Sequence, residues 1–152
     1  MADNYILFSE VLTDLTRREQ VWLTRRLTAQ GKDLAKALAA AGIQFDPAEE
    51  DWPGFDWEML GTPPRDLWMF SRECGNVDHV TQLIRAFLHR FRPSACWTMT
   101  WAEACSTPRV GEFGGGSALV TRQKVELHNA HHWAAKRAAG FRSKASATAV
   151  KK

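Results

Sequence analysis

The stretch from Trp97 to Gly116, WTMTWAEACSTPRVGEFGGG, gathers more chemically capable side chains than any other part of the chain. It holds the aromatics Trp97 and Trp101, the carboxylate of Glu103, the thiol of Cys105, the guanidinium of Arg109 and a second carboxylate, Glu112. Gly114, Gly115 and Gly116 follow in succession. Glycines admit positive φ and let a guest approach the backbone, and consecutive amides there can form an anion nest. Arg109 adds a planar fork suited to carboxylate or phosphate. The run is neither a Walker-type GxxxxGK loop nor a GxGxxG turn entering a helix, so neither nucleotide motif is predicted. Glu103, Arg109, Glu112, Gly114, Gly115, Gly116, Trp97 and Trp101 are the candidate binding residues. Recognition without turnover is the expected outcome, set against the plainer reading of a glycine-bearing turn between strands.

Nucleophilic chemistry at Cys105 requires a base within hydrogen-bond reach and a lowered thiol pKa. If residues 96–105 and 117–128 pair as one antiparallel ladder, Cys105 meets Ser117 or Ala118. His128, His131 and His132 then lie at the far end, leaving Cys96 with His128 as the one possible pair. Neighbouring histidines on a helix point about 100° apart, so His131 and His132 do not chelate together. His128 precedes His132 by four residues, but Asn129 interrupts the helix between them. The three cysteines show no CxxC spacing, which argues against a zinc site and against a disulfide framework. No catalytic residue, metal or cofactor is assigned. His79 and His89 are placed on the solvated flank of a central helix.

The elements that position these residues follow from periodicity. Residues 5–12, YILFSEVL, suit a strand. Thr16 and Glu19 form a capping box, after which Trp22, Leu23 and Leu27 share a helix face, with Arg17, Arg18, Arg25 and Arg26 mostly elsewhere. Gly31 stops or kinks that helix, and a second one runs from Asp33 to Ala41. Residues 46–56 read as a loop, and 55–60 with 67–73 as a loosely connected hairpin. Asn76 caps the clearest helix, whose apolar stripe is Val77, Val80, Leu83, Ile84, Phe87, Leu88 and Phe91. Arg92-Pro93 ends it. In residues 96–105, Trp97, Met99 and Trp101 share one face and Thr98, Thr100 and Ala102 the other. Residues 106–117 are predicted as loop, 117–128 as a strand or a hairpin turning near Gln123, and 130–139 as a short helix stopped by Gly140.

This order predicts an α+β fold with an antiparallel sheet and helices packed on one face. The arrangement is ferredoxin-like, a split βαβ unit with an added C-terminal strand and helix. Residues 1–141 are expected as one domain and 142–152 as a disordered basic tail. A Trp-Met-Trp stripe on such a sheet is read as core beneath helices. Exposed aromatics would resemble an RNA-binding sheet, but the RNP1-like pattern is missing from every strand.

The chain has 152 residues, 45% of them hydrophobic, which excludes wholesale disorder. No apolar run reaches the ~18 residues of a membrane span. The opening MADNYILFSEVL lacks a basic n-region and a cleavage site, so no export signal is expected and a cytoplasmic location with three reduced thiols follows. Net charge is only +3. Its distribution is uneven: the last third is basic, whereas Asp46, Glu49, Glu50, Asp51, Asp56 and Glu58 crowd one segment without a base. Such asymmetry suits a charged partner.

The segments FSRECGNVDHVTQLIRAFLHRFRP and WTMTWAEACSTPRVGEFGGG resemble those of an uncharacterised group of small proteins from bacterial, phage and plasmid genomes. The resemblance covers residues 5–140 and carries no activity, cofactor or catalytic residue. It implies a cytoplasmic accessory protein encoded by a mobile element. The acidic 46–58 segment, the surplus of aromatics and the lack of a catalytic constellation make a non-enzymatic binding protein the expected function, with a protein partner from the host, for example as a defence inhibitor. The first alternative is a nucleic-acid binder using Arg142, Lys144, Lys151 and Lys152. The second is an enzyme using Glu103, Arg109 and the glycine run. Nothing in the sequence indicates an oligomeric state.

Overall fold

The computed structural model describes residues 3–46 and 51–149. Among them the order is β1 (Asn4–Leu12), α1 (Arg17–Leu27), α2 (Lys32–Ala40), β2 (Asp56–Leu60), β3 (Asp66–Ser71), α3 (Val77–Phe91), β4 (Cys96–Cys105), β5 (Gly114–Thr121), β6 (Val125–Asn129) and α4 (Ala130–Ala149). The six strands form one sheet ordered β2-β3-β1-β4-β5-β6, and every neighbouring pair is antiparallel. The fold is thus α+β, with four helices and a six-stranded antiparallel sheet among the described residues.

Local chemistry sets the helix starts. The Thr16 hydroxyl accepts from the Glu19 amide, and the Glu19 carboxylate accepts from the Thr16 amide at 2.7 Å. Asn76 Oδ1 accepts from the His79 amide at 3.0 Å, capping α3. Helices α1, α2 and α3 contribute Trp22, Leu23, Leu27, Leu38 and the α3 stripe to one buried cluster. The sheet supplies Phe8, Leu12, Leu67, Met69, Met99, Ala118 and Val120 to that cluster. Trp97 and Trp101 pack partly buried against it, as Met99 between them is buried.

A charged clasp ties α1 to the end of α3. Arg92 donates through Nε to Glu19 at 2.9 Å and through Nη1 and Nη2 to the carbonyls of Thr13 and Asp14. Burial alone would raise the Glu19 pKa. The Arg92 guanidinium and the Thr16 amide and hydroxyl outweigh it and hold the carboxyl below its ordinary range.

Several sequence expectations change. Of the two readings of residues 117–128, the hairpin turning near Gln123 is the one that forms: the chain turns over 122–124, and β6 runs back along β5. This return sets His128 opposite Ser117 and leaves Cys96 opposite Thr121, so the Cys96–His128 pair does not form. His79, expected in solvent, is buried. Its Nδ1 donates to the Pro53 carbonyl at 3.0 Å, and its ring packs on Trp52 and Phe45 at 5.0 and 5.7 Å. The final helix passes through Gly140 to Ala149. A glycine costs a helix only about 1 kcal/mol against alanine, and the flanking alanines carry the helix across it. Arg142 and Lys144, expected in a disordered tail, therefore lie on α4, while Lys151 and Lys152 lie outside the described residues, as do Glu49 and Glu50 of the acidic segment.

Candidate binding surfaces

The three glycines were expected in a loop as a nest of free amides. They instead open β5, where Gly114, Gly115 and Gly116 pair with Glu103, Ala102 and Trp101. Each has a packing reason to lack a side chain. A Cβ on Gly114 would fall 2.7 Å from the His131 ring and 3.2 Å from Glu103 Oε2. One on Gly116 would strike the Trp101 indole, and one on Gly115 would strike the Trp101 carbonyl. Gly115 also sits at φ +141°, where side chains are rarely accommodated.

Around them the returning β6 builds a polar cluster. Glu103 Oε1 accepts from Trp101 Nε1 at 3.1 Å and from Asn129 Nδ2 at 3.4 Å. His131 Nε2 donates to the Phe113 carbonyl. Asn129 escapes a sequence reading because only the β5–β6 turn brings it to Glu103, and the same return carries His131 to the Phe113 carbonyl. Glu103, Gly114, Gly116 and Trp101 are thus brought together, and Trp97 lies further along β4. Arg109 and Glu112 stay apart from them on the loop. Arg109 is exposed, and among the described residues its side chain makes no hydrogen bond or ion pair. The three cysteines are free, with Cys105 buried and Cys74 and Cys96 exposed.

The opposite face of the sheet differs in kind. Alternation puts Tyr5, Leu7, Ser9 and Val11 of β1, Asp66, Trp68 and Phe70 of β3, and Asp56 and Glu58 of β2 on this side. No side chain of these is buried. Trp68 and Phe70 stack at 4.0 Å with an interplanar angle of 24°. The Trp68 indole donates to Ser9 Oγ at 2.9 Å, which fixes its plane. Arg72 lies over Phe70 at 5.3 Å. Register places Glu58 beside Trp68 and Asp56 beside Phe70 on the edge strand. The result is a rigid aromatic step bordered by carboxylates. In LWMFS all four apolar residues look alike, so the sequence signals a two-sided strand without saying which side the helices cover.

Compared with protein-family models, curated proteins and solved structures, the chain matches none. No described helix is long and apolar enough to cross a membrane.

Proposed function

We propose that this is a non-enzymatic binding protein whose contact surface is the uncovered sheet face, and that it takes a segment of a partner protein rich in lysine or arginine. The stacked Trp68–Phe70 pair bordered by Asp56 and Glu58 carries this reading. Aromatic faces attract cations, and adjacent carboxylates add charge-assisted hydrogen bonds. Rigid aromatics at low conformational cost are the usual anchors of protein interfaces. Strand β2 at the sheet edge leaves backbone groups for an added strand. The order β2-β3-β1-β4 supports a ferredoxin-like unit extended by β5, β6 and α4. Free thiols suit the cytoplasm. The resemblance to proteins of phage and plasmid genomes makes a host protein the class of partner.

A second reading rests on α4. From Ala130 to Lys144 it carries Lys136, Arg137, Arg142 and Lys144 without an acid, and exposes Trp133 and Phe141. That composition suits a nucleic-acid backbone. Affinity capture from nuclease-treated host lysate separates the two. The expected result is one protein retained by wild type and lost with Asp56→Lys/Glu58→Lys, but kept with Arg142→Ala/Lys144→Ala. Retention that vanishes with nuclease, or that survives the charge reversal on β2, overturns the sheet-face reading.

A further inference from the structure

The helix layer holds a cluster that neither the glycine run nor the sheet face uses. Along α1 the Arg-Arg pair recurs two turns on, Arg17-Arg18 and then Arg25-Arg26, and α3 brings Arg90 alongside. Arg18, Arg25, Arg26 and Arg90 line an open cleft of about 400 Å³ with Trp22 and Phe91, and no carboxylate lines it. Among the described residues none of the four arginines is in an ion pair.

Aromatic rings hold these cations where acids would ordinarily do so. The Arg26 Cζ lies 3.7 Å over the Trp22 ring, and Arg18 and Arg90 lie 5.9 and 5.5 Å from the Phe91 centroid. The two rings meet edge to face at 5.7 Å, so the guanidinium groups share one compact frame. A ring contact orients a guanidinium without consuming its N–H donors. Arg26 Nη1 donates to the Trp22 carbonyl at 3.0 Å, but its Nε is buried without a hydrogen-bond partner. A buried donor left unpaired is costly, and native structures rarely keep one. Burial first, then Arg90 and Arg25, push the Arg26 pKa below its ordinary value. Arg26 is partly buried and the other three arginines are exposed, and like charges gathered without a counter-ion gain from an anion entering among them.

We propose that this cleft binds a compact, multiply charged phosphate-bearing anion, with Arg18, Arg25, Arg26 and Arg90 donating to its phosphoryl oxygens. Such oxygens match the arginine fork and can take several guanidinium groups at once. The cleft lies on the helix layer, so this site stands or falls independently of the sheet-face reading.

The test titrates tripolyphosphate into the full chain at low salt, by calorimetry and by thermal unfolding. Wild type is expected to bind tripolyphosphate more tightly than pyrophosphate. Its Tm should rise by about 8 °C at a hundredfold excess over Kd. Arg18→Ala/Arg90→Ala should weaken binding at least ~10-fold by removing two charge-assisted donors, while Arg122→Ala, on the β5–β6 turn, leaves it unchanged. Arg25→Ala provides the same reading should the double variant not fold, because Arg25 is exposed and makes no ring contact. ATP binding tighter than tripolyphosphate assigns the anion to a nucleotide, and equal or weaker binding to an inorganic chain. The proposal is overturned by the lack of any heat or Tm shift with tripolyphosphate. It is equally overturned if Arg122→Ala weakens binding as much as the cleft variants, which would mean diffuse surface charge.

Discussion

On the side of the sheet covered by α1, α2 and α3, Leu67, Met69, Met99 and Val120 are buried against Leu83, Ile84 and Phe87. On the other side, Trp68 and Phe70 have comparable apolar bulk yet remain half-exposed. The charges also divide. The outside of the helix layer presents Arg18, Arg25, Arg26 and Arg90, whereas the edge of the open face presents Asp56 and Glu58. An apolar side chain becomes core only where another layer can cover it, and one left in the open is available to a partner. The same sheet thus supports folding on one side and offers recognition on the other.

The largest effect should come from the covered side. Phe87 has no exposed surface, and Phe87→Ala should cost about 3–5 kcal/mol in urea unfolding. Trp68→Ala should cost only about 1 kcal/mol, the scale of one aromatic stacking contact, while abolishing partner capture. Equal costs for the two would erase the distinction between the faces.

Gly115→Ala and Arg109→Ala sharpen the contrast within the first candidate region. The alanine methyl would meet the Trp101 carbonyl at a positive φ, so Gly115→Ala should destabilise by about 2 kcal/mol. Arg109→Ala should change stability by no more than ~0.5 kcal/mol, as exposed substitutions do. A Gly115→Ala protein that melts like wild type would return the glycine run to the status of a loop.

The Glu19–Arg92 clasp gives the helix layer a pH dependence. A folded-state pKa held below the unfolded value contributes stability that is present above the unfolded pKa and is lost as pH falls through the folded one. Acidification below about pH 4.5, the ordinary glutamate value, should therefore weaken wild type more than Glu19→Gln. At neutral pH that variant should be about 2 kcal/mol less stable, since Arg92 loses its charged partner. Parallel pH–stability curves for the two proteins would show that the clasp contributes nothing through its charge.

Much of the architecture was legible in local sequence. The Thr16–Glu19 box, the Asn76 cap, the α3 stripe and the alternation of β4 are short-range signals, because side-chain period and capping chemistry act within a few residues. The α+β class and the antiparallel sheet follow from the order of those elements. The candidate site was legible only as a list of residue types. Its glycines prove to be spaces for Trp101, set by the β4–β5 register, and for His131, which the turn at 122–124 brings back beside Gly114. The recurring Arg-Arg pairs were visible along α1, but Arg90 joins them only through helix packing. Which face of β3 is covered was likewise undecidable from LWMFS, since both sides are apolar. Local chemistry determines which strands and helices form; their neighbours, and hence which side chains meet, come from long-range burial that only the assembled layers decide.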